Sequence, residues 1–241
     1  MIPLRLLALF LLGISAELSH AQESHPYSFR QSFSAFSEYS NTSSHIFLGV
    51  AQNRRLVALG MTYSRRLLHS RYADWNYAPE LLPLVFIQDP VDNYTIVSSS
   101  STGTFSAPTA AACRPSRIVF PSDPANHFSG VVIDRTCGAR WTYAGGLSPL
   151  GQRINLAPRH RLQPFVAFNA GFLVSPGDVP VNDSSRFNFT FEFGAGIELF
   201  HDRHHSWSAE YKLHHLSNAW TGKQNPGVDN QVIRLSYTLG R

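Results

Sequence analysis

Apolar and polar residues alternate with a period of two through most of the chain, and helical spacing is hard to find. The clearest stretch is Phe187-Asn188-Phe189-Thr190-Phe191-Glu192-Phe193, continued by Ala195, Ile197 and Leu199 with polar residues or glycine between them. Trp207, Ala209, Tyr211 and Leu213 alternate with Ser208, Glu210 and Lys212, and Ile233, Leu235, Tyr237 and Leu239 with Arg234, Ser236 and Thr238. Val57, Leu59, Met61 and Tyr63 alternate in the same way with Ala58, Gly60, Thr62 and Ser64. Successive side chains of a strand point to opposite faces, so each stretch reads as a two-faced strand. Eight strands are predicted, near 44–52, 55–67, 72–88, 139–156, 162–174, 187–200, 206–217 and 230–239, with 29–39 as a second option for the first.

Such strands suit either a soluble sandwich, with the apolar face inside, or a membrane barrel, with the apolar face against lipid. The polar face separates the two. It mixes Gly60, Gly194 and Gly196 with Glu192, Glu198, Glu210, Lys212 and Arg234, which suits a cramped, ion-paired interior. An eight-stranded barrel has an interior just wide enough for side chains to fill. The fold class expected is therefore all-β, an eight-stranded antiparallel transmembrane β-barrel. Connections at 68–71, 157–161 and 201–205 are short, whereas those at 89–138, 175–186 and 218–229 are long. Membrane barrels place short turns on the periplasmic side and long loops outside. A tight outer turn is expected at 52–55, with Arg54 and Arg55 as solvated charges there.

Composition and targeting signals agree. Hydrophobic residues are 43% and charged residues 15% of the chain, below the roughly 25% charged typical of soluble domains. Arg5, the apolar run from Leu6 to Ile14 and the Ser19-His20-Ala21 site read as an export signal over residues 1–21. The barrel domain then covers 22–241, with a long extracellular loop near 89–138. No later stretch approaches the ~20 apolar residues of a spanning helix. The net charge of +4 comes without a basic helix or zinc-finger spacing, so no nucleic-acid partner is expected; an anionic phosphate surface such as lipopolysaccharide fits as well. In an exported chain Cys113 and Cys137 pair by default, and closing about 25 residues stabilises by about 3 kcal/mol on the loop-entropy account. Two free thiols are the alternative.

One segment carries chemistry: His214-His215-Leu216-Ser217-Asn218-Ala219, then Asn225-Pro226-Gly227-Val228-Asp229. His215 and Ser217 are two apart on a strand and share a face, about 6–7 Å between their backbone positions. A serine becomes a nucleophile when a histidine at hydrogen-bond reach takes its proton, and an acid orients the imidazole. Asp229 returns across the hairpin and can supply that acid. Amides of Asn218 and Asn225 are candidate oxyanion donors. His215 and Ser217 continue the lipid-facing odd register of Trp207 to Leu213, so the trio should face the bilayer at the extracellular end. Polar residues on that face are costly unless they function. The bland alternative is that the strand ends there and these are ordinary loop polars.

His215-x-Ser217-Asn218-Ala219, followed by Asn225-Pro226-Gly227 and an acid twelve residues after the serine, resembles the lipid A 3-O-deacylase (PagL-type) family and exported barrels labelled acyloxyacyl hydrolase. The resemblance implies an eight-stranded barrel of the bacterial outer membrane. Such a barrel removes the ester-linked 3-hydroxyacyl chain of lipid A in the outer leaflet, with no cofactor or metal. It also implies His215 as base, Ser217 as nucleophile, Asp229 as acid and Asn225 as oxyanion donor. The family carries Glu where Asp229 stands, one methylene longer.

The histidines at 201, 204 and 205 suggest metal, but ten residues of strand, about 33 Å, separate them from His215, and no shared ion is expected. Two other functions remain open: a non-enzymatic barrel acting as adhesin or structural protein, and a soluble ligand-binding barrel.

Overall fold

The computed structural model describes residues 27–241; the expected export signal over 1–21 lies outside the described residues. Twelve strands form one antiparallel sheet that closes on itself, because β1 (Gln31–Ser40) pairs with both β2 (Arg55–His69) and β12 (Val228–Gly240). The ring has eight staves. β3 (Ala73–Tyr77) and β4 (Glu80–Ser98) make one stave, broken at Ala78-Pro79. β7 (Val131–Ser148) and β8 (Gln152–Leu156) make the next, broken at 149–151. Pro79 and Pro149 lack the N–H that a continuous ladder needs. β9 (Leu162–Val179), β10 (Ser185–Phe200) and β11 (His205–Ser217) complete the circuit to β12.

The barrel is apolar outside and polar inside. Phe193 is 55% and Trp207 58% exposed, whereas Glu192 and Lys212, on the opposite face of the same strands, are almost wholly buried. Buried charges are costly unless paired, and these are. Lys212 Nζ lies 2.6 Å from Glu192 and also contacts Glu38. Arg234 lies 2.6 Å from Glu80, donates to Thr62 at 2.8 Å and stacks over Phe36 at 3.6 Å. An open band of large apolar side chains around a packed ionic interior is stable only with hydrocarbon outside. The protein is a transmembrane β-barrel.

Two expectations change. The first strand is Gln31–Ser40, not 44–52. Residues 46–51, Ile-Phe-Leu-Gly-Val-Ala, are apolar at both parities. They cross the outer rim as a strap rather than a stave, with isolated backbone bridges to β12 at Ser43–Asn230 and Ala51–Val228. The tight turn at 52–55 is correspondingly absent, and Arg54 is wholly buried instead of solvated.

The long insertion is also more ordered than a loop. β4 and β7 run on past the rim and pair from Asp89–Arg140 to Ser98–Val131. β5 (Thr102–Pro108) and β6 (Ser116–Phe120) flank them, giving a small outer sheet in the order β5-β4-β7-β6. Cys113 and Cys137 are disulfide-bonded, with Cα atoms 5.7 Å apart, and tie the β5–β6 connection to β7.

Candidate active site

β11 and β12 pair in a register that sets His215 opposite Asp229. Both hold the outward parity of their strands, and His215 Nδ1 meets Asp229 Oδ1 at 2.6 Å. The shorter acid therefore reaches its histidine. It does so because the strap presses down on it. The backbone N–H groups of Phe47, Gly49 and Ile46 donate to Asp229 Oδ2 at 2.6, 2.9 and 3.3 Å. One carboxylate oxygen thus faces the imidazole and the other is filled by amides. Gly49 is required by proximity, since a Cβ there would stand 2.6 Å from Asp229 N and 2.9 Å from its Cγ. Gly227 is required by conformation as well (φ +58°), and a Cβ on it would come within 3.3 Å of His215 Cε1.

With Nδ1 engaged, Nε2 is the ring nitrogen left for chemistry. Ser217 follows two residues on along the same face, at the last position of β11. Its hydroxyl makes no hydrogen bond among the described residues, to His215 or any other group. The structure thus joins Asp229 to His215 and does not bond the Ser217 hydroxyl to either. His214 points the other way, buried in the lumen 3.6 Å from Glu192.

Asn218 and Asn225 divide the work of the 218–227 loop. The buried Asn218 organises the turn: Nδ2 donates to Gln224 O at 2.7 Å, and Oδ1 accepts from Trp220 N at 2.9 Å. Asn225 Oδ1 accepts the Asn218 N–H at 3.1 Å, and its NH₂ makes no hydrogen bond among the described residues. Beside the pair lies an apolar groove of about 210 Å³, lined by Ile46, Phe47, Phe191, Phe193 and Leu213 and ending on His215 and Asp229. Phe47 stands edge-on to His215, ring centroids 6.4 Å apart.

The strap is what the sequence reading missed. Its signal was there as an apolar run that does not alternate, interrupted by Gly49. The carboxylates Glu38, Glu80 and Glu192 come close enough together in the lumen to suggest a cation, but Lys212 and Arg234 already occupy the space between them.

Residues 132–238 match the family model described as lipid A 3-O-deacylase (PagL). No curated protein sequence matches the chain significantly. Among solved structures, the crystal structure of the outer membrane enzyme PagL superposes with a TM-score of 0.50 at 13% identity, covering 86% of this chain and 99% of that one. The matched region runs from β7 to β12 and contains His215, Ser217, Asn218, Asn225 and Asp229. Family region and barrel fold agree: over residues 132–238 the chain is similar to the lipid A 3-O-deacylase (PagL) family, and its fold is that of an outer-membrane β-barrel.

Proposed function

We propose that this barrel is a lipid A 3-O-deacylase working through Ser217, His215 and Asp229. The observation that carries the reading is the 2.6 Å His215–Asp229 contact on the outward register of the barrel, opening onto an apolar groove with Ser217 two residues away. A polar pair held at that face at the cost of a carboxylate's desolvation needs a function. Beside a membrane its substrate is an ester at the boundary between headgroup and acyl chains.

Each residue then has a task. Asp229, clamped by the strap, holds His215 with Nε2 toward Ser217 and stabilises the imidazolium that forms. As Ser217 Oγ attacks the ester carbonyl, its proton passes to Nε2. The Asn225 NH₂ donates to the oxyanion of the tetrahedral intermediate. Collapse breaks the bond to the sugar oxygen, which takes the proton back from Nε2. Water, deprotonated by His215, then cleaves the acyl-serine, releasing a 3-hydroxy fatty acid and restoring the serine. The groove formed by Phe191, Phe193 and Leu213 receives the acyl chain while the headgroup stays at the rim.

The test is expression in a host with 3-O-acylated lipid A, followed by mass spectrometry of the lipid. Loss of one 3-hydroxyacyl chain, absent with Ser217→Ala, is expected. Unaltered lipid despite folded, inserted protein rejects the enzyme and leaves a non-enzymatic barrel.

A further inference from the structure

The outer sheet and its disulfide take no part in the chemistry above, yet a continuous set of bonds leads from them to the catalytic acid. Its centre is Arg54, wholly buried where the strap meets the connection after β5. Every nitrogen of its guanidinium has a partner. Nε donates to Asp89 Oδ1 at 3.2 Å, Nη1 to Gln52 O at 2.6 Å and Ala110 O at 3.2 Å, and Nη2 to Thr109 O at 2.5 Å. Gln52 N also donates to Ala110 O at 2.9 Å, and Arg140 reaches the second oxygen of Asp89 at 3.3 Å.

On one side these bonds reach the disulfide. Thr109 and Ala110 lead into Cys113, which is bonded to Cys137 on β7. On the other side they reach the strap. Arg54 N donates to Ser43 Oγ at 3.0 Å, and that hydroxyl donates to Ala51 O at 2.8 Å, closing the strap's two ends on each other. Asn230, next to Asp229, donates to Arg54 O at 3.1 Å and Thr42 O at 3.2 Å. Between those ends lie the amides of Phe47 and Gly49 that hold Asp229. A buried arginine stripped of any of these acceptors would be strongly destabilised, so the strap cannot shift while Arg54 stays seated.

We propose that Arg54 is a positioning residue for the hydrolysis and that the disulfide-closed insert is its support. Through Arg54 the insert fixes the strap, the strap fixes the Asp229 carboxylate, and Asp229 fixes His215. The proposal rests on the deacylase reading for its effect on rate, but not for its effect on the His215–Asp229 contact.

The experiment therefore uses two readouts on full-length barrel in detergent micelles, both referred to the folded fraction seen by heat-modifiable gel mobility. With purified lipid A, Arg54→Gln should lower kcat about tenfold, as a small misplacement of a catalytic group does. KM should be little changed, and Arg54→Lys should recover part of the loss. Cys113→Ser/Cys137→Ser should lower kcat a few-fold and supplies the test if Arg54→Gln fails to fold. In the Ser217→Ala background, where no turnover is needed, the downfield proton resonance of the short His215–Asp229 hydrogen bond should be lost in the same variants. An unchanged resonance overturns the proposal, and so does an unchanged kcat in active protein. Inactive wild-type protein whose resonance still depends on Arg54 upholds the positioning role and rejects the deacylase reading instead.

Discussion

Asp229 shows how a single side chain is made useful by its surroundings. Its carboxylate divides between His215 Nδ1 and the strap amides, so removing its charge while keeping its shape should disable the base. Asp229→Asn is expected to lower kcat by about four orders of magnitude with the barrel intact, as loss of a triad acid does elsewhere; single-turnover deacylation of purified lipid A checks it. Gly49→Ala tests the clamp from the other side. The added methyl must displace either the strap or Asp229, since its Cβ would stand 2.6 Å from Asp229 N. Activity should fall at least tenfold, whereas folded yield, read from gel mobility, should hardly change. The pairing of His215 with Asp229 on the outward face was legible in the sequence through spacing and parity. The amides that hold the acid were not, because a backbone N–H carries no residue signature and its target lies about 180 residues away along the chain.

Among the elements, β11 carries the most varied work. Its inward side presents Lys212 to Glu192 and Glu38, and its outward side ends in His215 and Ser217. Lys212→Met would leave the buried Glu192 without its lysine and Glu38 with Arg234 alone, and breaking such a buried pair costs about 3–5 kcal/mol. The temperature at which the folded form converts to the unfolded one on a gel should drop accordingly, while kcat per folded barrel stays near that of the parent. Strands β9 to β12 were readable because polarity alternates along them and keeps the apolar set on one face. The strap and the outer sheet were not. Ile46 to Ala51 has the composition of a strand without its period, and the Ser- and Thr-rich stretch after β4 becomes strand only because β4 and β7 already run side by side there.

At the scale of the whole molecule, the outward face has hydrocarbon as its solvent. Leu235 lies in mid-strand on that face, 54% exposed, and its replacement by Arg should cost about 2–4 kcal/mol at the bilayer midplane. Equilibrium refolding into vesicles measures this directly, and a neutral outcome would contradict the membrane orientation. The sequence alone determined the barrel, its inside and outside, its short turns and the outward pairing of His215 with Asp229, because each follows from a period of two and from which residues hydrocarbon tolerates. The tertiary structure alone decided which segment closes the ring, where Arg54 lies and how a short acid reaches its histidine. Those outcomes depend on contacts between residues far apart in the chain, where ring closure brings a strap, an insert and a strand end to one point on the rim.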